Sequence, residues 1–320
     1  GAVTGSRSLN LPAGVTVASV QHSAVLQGLV GVGLSNGQLL VVKPDYTVDH
    51  QGEHPVVTPG VVFPFGETPL PVDDGGKPLT EFALRDDEDK LEVLAVANNQ
   101  LLWEEFGEAK AAGAEGGGFS TGGLTDETDD SAGDQSRIFA RNKTTALPVD
   151  AGMIEHVVIG QGARWAYALT RDDKVAVFKM GEDGPKLYQQ AALDLKDAHV
   201  TSVAALQGEI SLLVGDSGGQ ISQWFLVRDP NSAEDKFSLQ RIRSFRLGDA
   251  PVTAITPELK RKGFAAGDAK GRVGYFYTTS ERTIGIRQAA KGAISVLAIS
   301  PRSTGVYVQS ADGAGFWSLD

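Results

Sequence analysis

The residues whose types and spacing most resemble a catalytic motif lie at 215–219, where the chain reads Gly-Asp-Ser-Gly-Gly. This motif surrounds the nucleophile in one class of serine proteases, in which a histidine and a buried aspartate activate the serine. In that class the histidine precedes a cysteine, whereas this chain contains no cysteine. A short motif outside its structural context is weak evidence. Because the other repeats of this chain have a turn at the equivalent place, we interpret Ser217 as a turn residue.

Patterns that could bind a metal are also weak. His50, Glu53 and His54 lie close together, but prolines follow them, and a zinc site needs three or four ligands on rigid elements. The acidic run 126–134 lacks the alternating ligands, the glycine and the final Glu of an EF-hand loop. His199 precedes an apolar run, so we expect it to hydrogen-bond within a sheet. The sequence therefore predicts no catalytic residue, no metal site and no cofactor.

The charge of the chain is unevenly distributed. The 320 residues contain 29 Lys and Arg against 40 Asp and Glu, a net charge of −11 that argues weakly against a nucleic-acid partner. Residues 236–291 instead contain twelve bases and four acids. Such a sector can attract an anion or an acidic partner, although bases at alternate strand positions can also simply face water. The candidate residues for contact with an anion or a partner are Arg241, Arg243, Lys260, Arg261, Lys262 and Arg272.

A repeat supplies the elements that must position these residues. Six times along the chain, a β-rich run is followed by a turn of Asn, Asp or Gly type and by a second β-rich run. Further short runs precede and follow several of these hairpins. The last three steps between equivalent turn residues are 46, 52 and 42 residues, close to the length of one propeller blade. The turn residues used as markers are Gly37, Asn99, Asp173, Gly219, Gly271 and Gly313.

Four short strands per unit predict an all-β fold, a β-propeller of six four-stranded blades. An irregular seventh blade, hidden in a proline-rich stretch, stays open, and a β-sandwich or two β-domains are the alternative folds. The last unit stops after its third strand, and residues 7–11 could supply the fourth. We therefore expect a ring closed by the N- and C-terminal strands in one blade, as in a domain inserted into a larger protein.

The chain is expected to form a single propeller domain over residues 7–320. Within it, we expect a proline-rich loop at 50–78 and a flexible Gly- and Asp-rich insert at 107–137, because proline removes a ladder donor and the insert has few apolar residues. Residues 1–6 are expected to be a disordered N-terminus or a remnant of cloning. Apolar runs are too short for a membrane span of about 20 residues.

Units four to six contain the segments that carry a family resemblance, which are 215–229, 240–245, 255–258, 262–271, 278–283 and 294–302. They resemble a part of the enlarged phosphate ABC-transporter permeases of pseudomonads and their relatives, and the resemblance is best over residues 200–310. It implies a WD40-like propeller that is a periplasmic domain of an inner-membrane protein, whose parent chain is embedded in the membrane. The implied partner is the periplasmic phosphate-binding protein or another transporter subunit, and no catalytic residue is implied.

Two functions of other classes are kept beside this non-enzymatic interaction and regulatory role. One is a free-standing propeller scaffold for the assembly of envelope proteins. If the gene encoded membrane helices on both sides of this segment, the transporter would be favoured over this scaffold. The other is a propeller enzyme or a quinone-cofactor protein. That function needs acid, base or metal-binding residues that converge at a central channel, and the sequence provides no such set.

Overall fold

The computed structural model describes residues 8–23, 28–50, 55–87, 90–109, 138–160, 164–206, 211–232, 236–300 and 302–319. These residues form six antiparallel sheets, which we number blades 1 to 6 in chain order, and a short 3-10 helix at Ala151–Met153. No helix in these ranges is long and apolar enough to cross a membrane.

The first three blades contain thirteen strands. Blade 1 contains β1 (Val17–His22), β2 (Val30–Leu34), β3 (Gln38–Asp49), β4 (Val56–Val62) and the short β5 (Leu70–Pro71). Blade 2 contains β6 (Phe82–Asp87), β7 (Lys90–Ala97), β8 (Gln100–Glu108) and β9 (Phe139–Leu147). Blade 3 contains β10 (Ile154–Ile159), β11 (Trp165–Thr170), β12 (Lys174–Lys179) and β13 (Lys186–Ala192).

The last three blades contain eleven strands. Blade 4 contains β14 (Val200–Ala205), β15 (Ser211–Asp216), β16 (Gln220–Arg228) and β17 (Phe237–Arg246). Blade 5 contains β18 (Val252–Pro257), β19 (Gly263–Asp268), β20 (Arg272–Tyr277) and β21 (Arg282–Gln288). Blade 6 contains β22 (Ile294–Ile299), β23 (Gly305–Ser310) and β24 (Gly313–Ser318).

Five of the six predicted turn residues lie between the second and third strands of their blades, and Gly313 is the first residue of β24. Each has a positive φ, from 56° at Asp173 to 123° at Gly313. Glycine, asparagine and aspartate tolerate this left-handed region better than other residues do. The local sequence thus sets the hairpin of every blade.

Neighbouring blades are joined by a recurring hydrogen bond. The hydroxyl of Thr201 on β14 donates to the carbonyl oxygen of Val252 on β18, at 2.7 Å. Thr253 on β18 donates in the same way to the carbonyl oxygen of Ile294 on β22, at 2.6 Å. Each bond connects the first strand of one blade with the first strand of the next. The bonds therefore fix the relative position of successive sheets.

Glycines in the second strands let these first strands approach closely. A Cβ atom built on Gly215 would lie 2.8 Å from the side chain of Val252. One built on Gly267 would lie 2.6 Å from the side chain of Ile294. The first strands of successive blades pack in chain order from β1 to β22. This arrangement is an all-β, six-bladed propeller, which confirms the predicted fold class.

The predicted closure by terminal strands differs from the structure. Blade 6 has three strands in the part of the chain that the structure describes, and residues 8–11 form no strand. Residue 7 lies outside the described ranges. Burial of a leucine side chain stabilises by about 1.5–3 kcal/mol, which explains why this segment stays at blade 1. Leu9 and Leu11 pack there against Val32, Leu34 and Leu40.

The proline-rich stretch 50–78 is not only a loop. It contains β4, which pairs with the second half of β3, and β5, which pairs with the first half. Pro59 is tolerated because β4 is an exposed outer strand that needs no full ladder of N–H donors. Neither strand belongs to a further blade. Of the predicted insert 107–137, residues 110–137 lie outside the described residues.

The close approach of Ile294 in blade 6 to Gly267 in blade 5, which we call the glycine notch, can be tested by substitution. Gly267→Ala places a methyl group within 2.6 Å of Ile294. We expect the free energy of unfolding to fall by about 1–3 kcal/mol because of this overpacking. Gly315→Ala is the control, since no atom lies within 4 Å of its Cβ position, and its effect should stay within about 0.5 kcal/mol. Urea unfolding measures both, and equal stabilities would contradict the role of the notch.

Candidate protein-interaction surface

The structure divides the predicted basic sector. Arg241 and Arg243 lie on β17, the outer strand of blade 4. Arg241 donates to the carbonyl oxygen of Asp194, and the Arg243 guanidinium lies 3.4 Å from the Glu281 carboxylate. Both side chains are thus held against their own propeller.

The other four candidates occupy opposite ends of blade 5. Lys260, Arg261 and Lys262 lie in the loop between β18 and β19, whereas Arg272 follows the turn between β19 and β20. In an antiparallel sheet these two connections lie at opposite ends of β19. The six predicted residues therefore do not form one patch.

Carboxylates also neutralise two of these bases. Arg261 bonds to Glu258 at 2.6 Å, and Arg272 bonds to Asp268 and to Asp249, each at 2.6 Å. The hydrogen bonds from Arg272 and Lys270 lower the pKa of Asp249 to about 2. Arg272 therefore links the turn of blade 5 to the connection before it, which is a structural role.

The Gly-Asp-Ser-Gly-Gly segment lies at the hairpin turn between β15 and β16, as interpreted from the sequence. The structure brings Ser217 near His199, whose Nδ1 atom lies 2.8 Å from a carboxylate oxygen of Asp173. However, the Ser217 hydroxyl oxygen accepts the backbone N–H of His199 at 3.0 Å, not a hydrogen bond from the imidazole. Asp173 also accepts the N–H of Val200. The three residues thus anchor the start of β14 to adjacent turns, a role expected for His199 but not for the other two.

Two carboxyl groups elsewhere in the propeller have raised pKa values. Glu81 accepts the N–H of Val157 on β10 at 2.8 Å, and burial raises its pKa to about 7. Burial likewise raises the pKa of Glu104 to about 7, although Arg141 opposes this rise. The described residues contain no cluster of three or more His, Asp or Glu that could hold a metal ion.

An exposed hairpin extends from blade 1. The second half of β3 pairs with β4 over Lys43–Asp49 and Val56–Val62, and we call this hairpin the arm. Its register places three cross-strand pairs of apolar residues on one face. Tyr46 is 67% exposed and Val57 is 59% exposed. The pairs are Pro44 with Val61, Tyr46 with Pro59, and Val48 with Val57.

The outer face of blade 6 is a second exposed apolar surface. One face of this sheet packs on blade 5 through residues such as Ile294 and Val306. The opposite face carries Val296, Tyr307 and Phe316, of which Tyr307 is 55% exposed and Phe316 is 50% exposed. In each earlier blade, the next blade in the chain covers the corresponding face. Among the described residues, no sheet covers this face of blade 6, so its apolar side chains are exposed.

Neither surface was predicted from the sequence. The arm was hidden because prolines in 50–78 favoured a loop, although alternation at Tyr46 and Val48 is a strand signal. The apolar residues of blade 6 match those that earlier blades bury. Only the contacts between blades distinguish the two cases.

The chain matches no family model and no curated protein. Solved structures do share its fold. The β-propeller domain of Cps50 (Swd1) from Myceliophteria thermophila has a TM-score of 0.58 and 10% identity, and the match covers 95% of this chain and 84% of that chain. The fold is a WD40-like β-propeller.

Two further structures agree. Sqt1 of Chaetomium thermophilum, bound to the N-terminus of the ribosomal protein L10, has a TM-score of 0.55 and 13% identity, with 95% of this chain and 72% of that chain covered. A chain of a mitotic checkpoint complex has a TM-score of 0.55 and 14% identity, with 96% and 76% covered. At these identities the likeness concerns the WD40-like fold.

The turn role of Ser217 predicts a structural effect of its removal. Ser217→Ala deletes the acceptor for the N–H of His199, so we expect a loss of about 0.5–1.5 kcal/mol in the free energy of unfolding. Urea unfolding measures this loss. If the substitution instead left stability unchanged and abolished a hydrolytic activity, the nucleophile interpretation would replace the structural one.

Proposed function

We propose that this chain is a non-enzymatic protein-interaction domain and that it contacts its partner through the apolar face of the arm. The observation that carries the proposal is the pairing of Tyr46 with Pro59 and of Val48 with Val57 on one exposed face. An isolated two-stranded hairpin is only marginally stable in water, and apolar residues that stay exposed on it commonly mark an interaction site. A partner that covers this face would stabilise the arm.

The shared fold is consistent with this proposal. Propellers among the similar structures come from a mitotic checkpoint complex and from a complex with the N-terminus of a ribosomal protein. Fold alone does not fix a function, so the support for this function is the exposed apolar face of the arm. The apolar face of the arm is also free of charged residues, which suits a contact that buries side chains fully.

The finer proposal is a periplasmic domain of an inner-membrane phosphate importer, which would bind the periplasmic phosphate-binding protein or another transporter subunit. It rests on the resemblance of residues 200–310 to the enlarged permeases, and the comparisons with known proteins give it no support. A free-standing scaffold in envelope assembly would use the same arm.

The arm can be tested by site-specific photo-crosslinking. A photoreactive phenylalanine at Tyr46 should give one defined adduct with a partner protein in the cell of origin, because this position faces outward on the apolar face. The control is the same group at Thr47, which points to the opposite face of the arm. Equal adducts at both positions, or none at Tyr46, would contradict the proposed surface.

The transporter proposal predicts binding to a purified periplasmic phosphate-binding protein. In a calorimetric titration, we expect saturable binding that Val57→Asp weakens at least about tenfold, since an unpaired carboxylate would be buried at the contact. Thr58→Asp, one residue away on the other face, should bind like the unmodified chain. A titration without saturation at high micromolar concentration would argue against the phosphate importer and leave the arm to the crosslinking test.

A further inference from the structure

Blade 6 lacks the outer strand that blades 2 to 5 have. In those blades a fourth strand pairs with the third, whereas β24 has β23 on one side and no strand on the other among the described residues. A free strand edge presents unpaired N–H and C=O groups and can template the addition of another strand. Blade 6 is therefore the place in this propeller where a strand from elsewhere fits.

The hydrogen-bond pattern shows which backbone groups of β24 point outward. The N–H of Leu319 donates to the carbonyl oxygen of Thr304, beyond the pair Ser318–Gly305. Bonding alternates along an antiparallel pair, so every second residue of β24 turns its N–H and C=O away from β23. Within the stretch 313–317, the residues that do so are Ala314 and Phe316.

Blade 5 supplies an internal template for the missing strand. There the N–H of Thr278 donates to Lys262, as that of Leu319 donates to Thr304 in blade 6. By the same alternation, the matching residues of β20, Val273 and Tyr275, turn their N–H and C=O toward β21. Val273 pairs with Arg287, and Tyr275 pairs with Gly285. Ala314 and Phe316 hold the corresponding positions in β24.

Space for a strand exists beside this edge. A cavity of about 550 Å³ lies between residues 313–317 of β24 and residues 287–291 at the end of β21. A Cβ atom built on Gly315 would meet no atom within 4 Å. The cavity is thus an open groove that follows β24, and an extended chain can lie in it.

The charges of the groove favour an acidic occupant. Arg287 and Lys291 line it, and neither side chain has an ion-pair partner in the described ranges. Asp312 also lines the groove, but its carboxylate accepts the backbone N–H groups of Lys291 and Gly292, at 3.0 and 3.1 Å. The two cations are therefore available to carboxylates of an incoming chain. A strand added beside β24 would have its other face next to Tyr307 and Phe316, which favour apolar side chains.

We propose that β24 accepts an extended segment of a partner protein as the fourth strand of blade 6, with acidic residues toward Arg287 and Lys291 alternating with apolar residues toward Tyr307 and Phe316. This mode is β-strand addition, in which backbone bonds give affinity and alternate side chains give specificity. It rests on the proposed protein-interaction function and names a second surface for it.

Two other occupants fit less well. A second copy of this chain, paired edge to edge through β24, would bring the cations of both grooves close together, which is unfavourable. Residues 8–11 already pack on blade 1 through Leu9 and Leu11, and they contain no acidic residue. The partner strand is therefore the occupant that the charges favour.

The test uses a synthetic peptide of about eight residues that alternates Val and Glu and is capped at both ends. We expect saturable binding to the whole chain, together with slower hydrogen exchange at the amides of Ala314 and Phe316. The amide of Trp317 already faces β23 and should not change. A peptide with N-methylated valines is the control for backbone pairing and should bind at least about tenfold more weakly.

A charge reversal tests the specificity of the groove. The double variant Arg287→Glu and Lys291→Glu should lose at least about tenfold in affinity for the Val–Glu peptide and gain affinity for a Val–Lys peptide. Arg282→Glu, on the same strand but outside the groove, is the matched control. Circular dichroism confirms that each variant folds.

The outcomes separate this inference from the proposed function. Val57→Asp in the arm should leave peptide binding to β24 unchanged. The arm experiments and the peptide experiments can therefore fail independently of each other. Absence of protection at Phe316, or no change on charge reversal, would overturn strand addition. A dimer in sedimentation that the peptide does not dissociate would assign the edge to a second copy and would also overturn it.

Discussion

The fold depends on the packing of each blade's first strand against the face of the blade before it. The contact between Gly267 and Ile294 shows how close this approach is, since even a methyl group on the glycine would overlap Ile294. Thr253 adds a hydrogen bond to the same strand, and Thr201 does so one blade earlier. Neighbouring sheets thereby share apolar cores.

This dependence explains why the chain's two ends differ from its middle. On blade 1, Leu9 and Leu11 cover part of the face that points away from blade 2. Among the described residues, no sheet covers the outer face of blade 6, and Tyr307 and Phe316 are exposed on it. Ser295 holds the position of Thr253, yet its hydroxyl reaches only the Gln309 carbonyl of its own sheet. Exposed apolar surface thus remains where the packing of one blade on another stops.

The electrostatics follow the same architecture. Most of the predicted basic residues are held by nearby groups, as Arg272 is by Asp249 and Asp268. Exposed pairs of this kind contribute little to stability, but they fix turns at the end of a blade. Arg287 and Lys291, which have no ion-pair partner among the described residues, line the groove beside β24, so charge and open backbone edge coincide there.

The sequence by itself determined the six hairpins, since their Gly, Asn and Asp turn residues adopt the positive φ that such turns require. It also determined the propeller class, because the repeat length and the period of the strands are local properties. It predicted Ser217 as a turn residue for the same reason. The loop expected at 50–78 was partly wrong, because the cross-strand partners of β4 lie in β3, outside the stretch whose prolines suggested a loop.

Only the tertiary structure decided which apolar residues are buried and which charges are free. Val306 and Tyr307 are neighbours in sequence, yet one packs on blade 5 and the other faces water. Alternation in a strand assigns them to two faces but does not say which face has a neighbour. Likewise, Arg272 and Arg287 look alike in the sequence, but only Arg272 meets carboxylates at the turn of its blade. Those outcomes depend on contacts between distant segments, which local sequence does not specify.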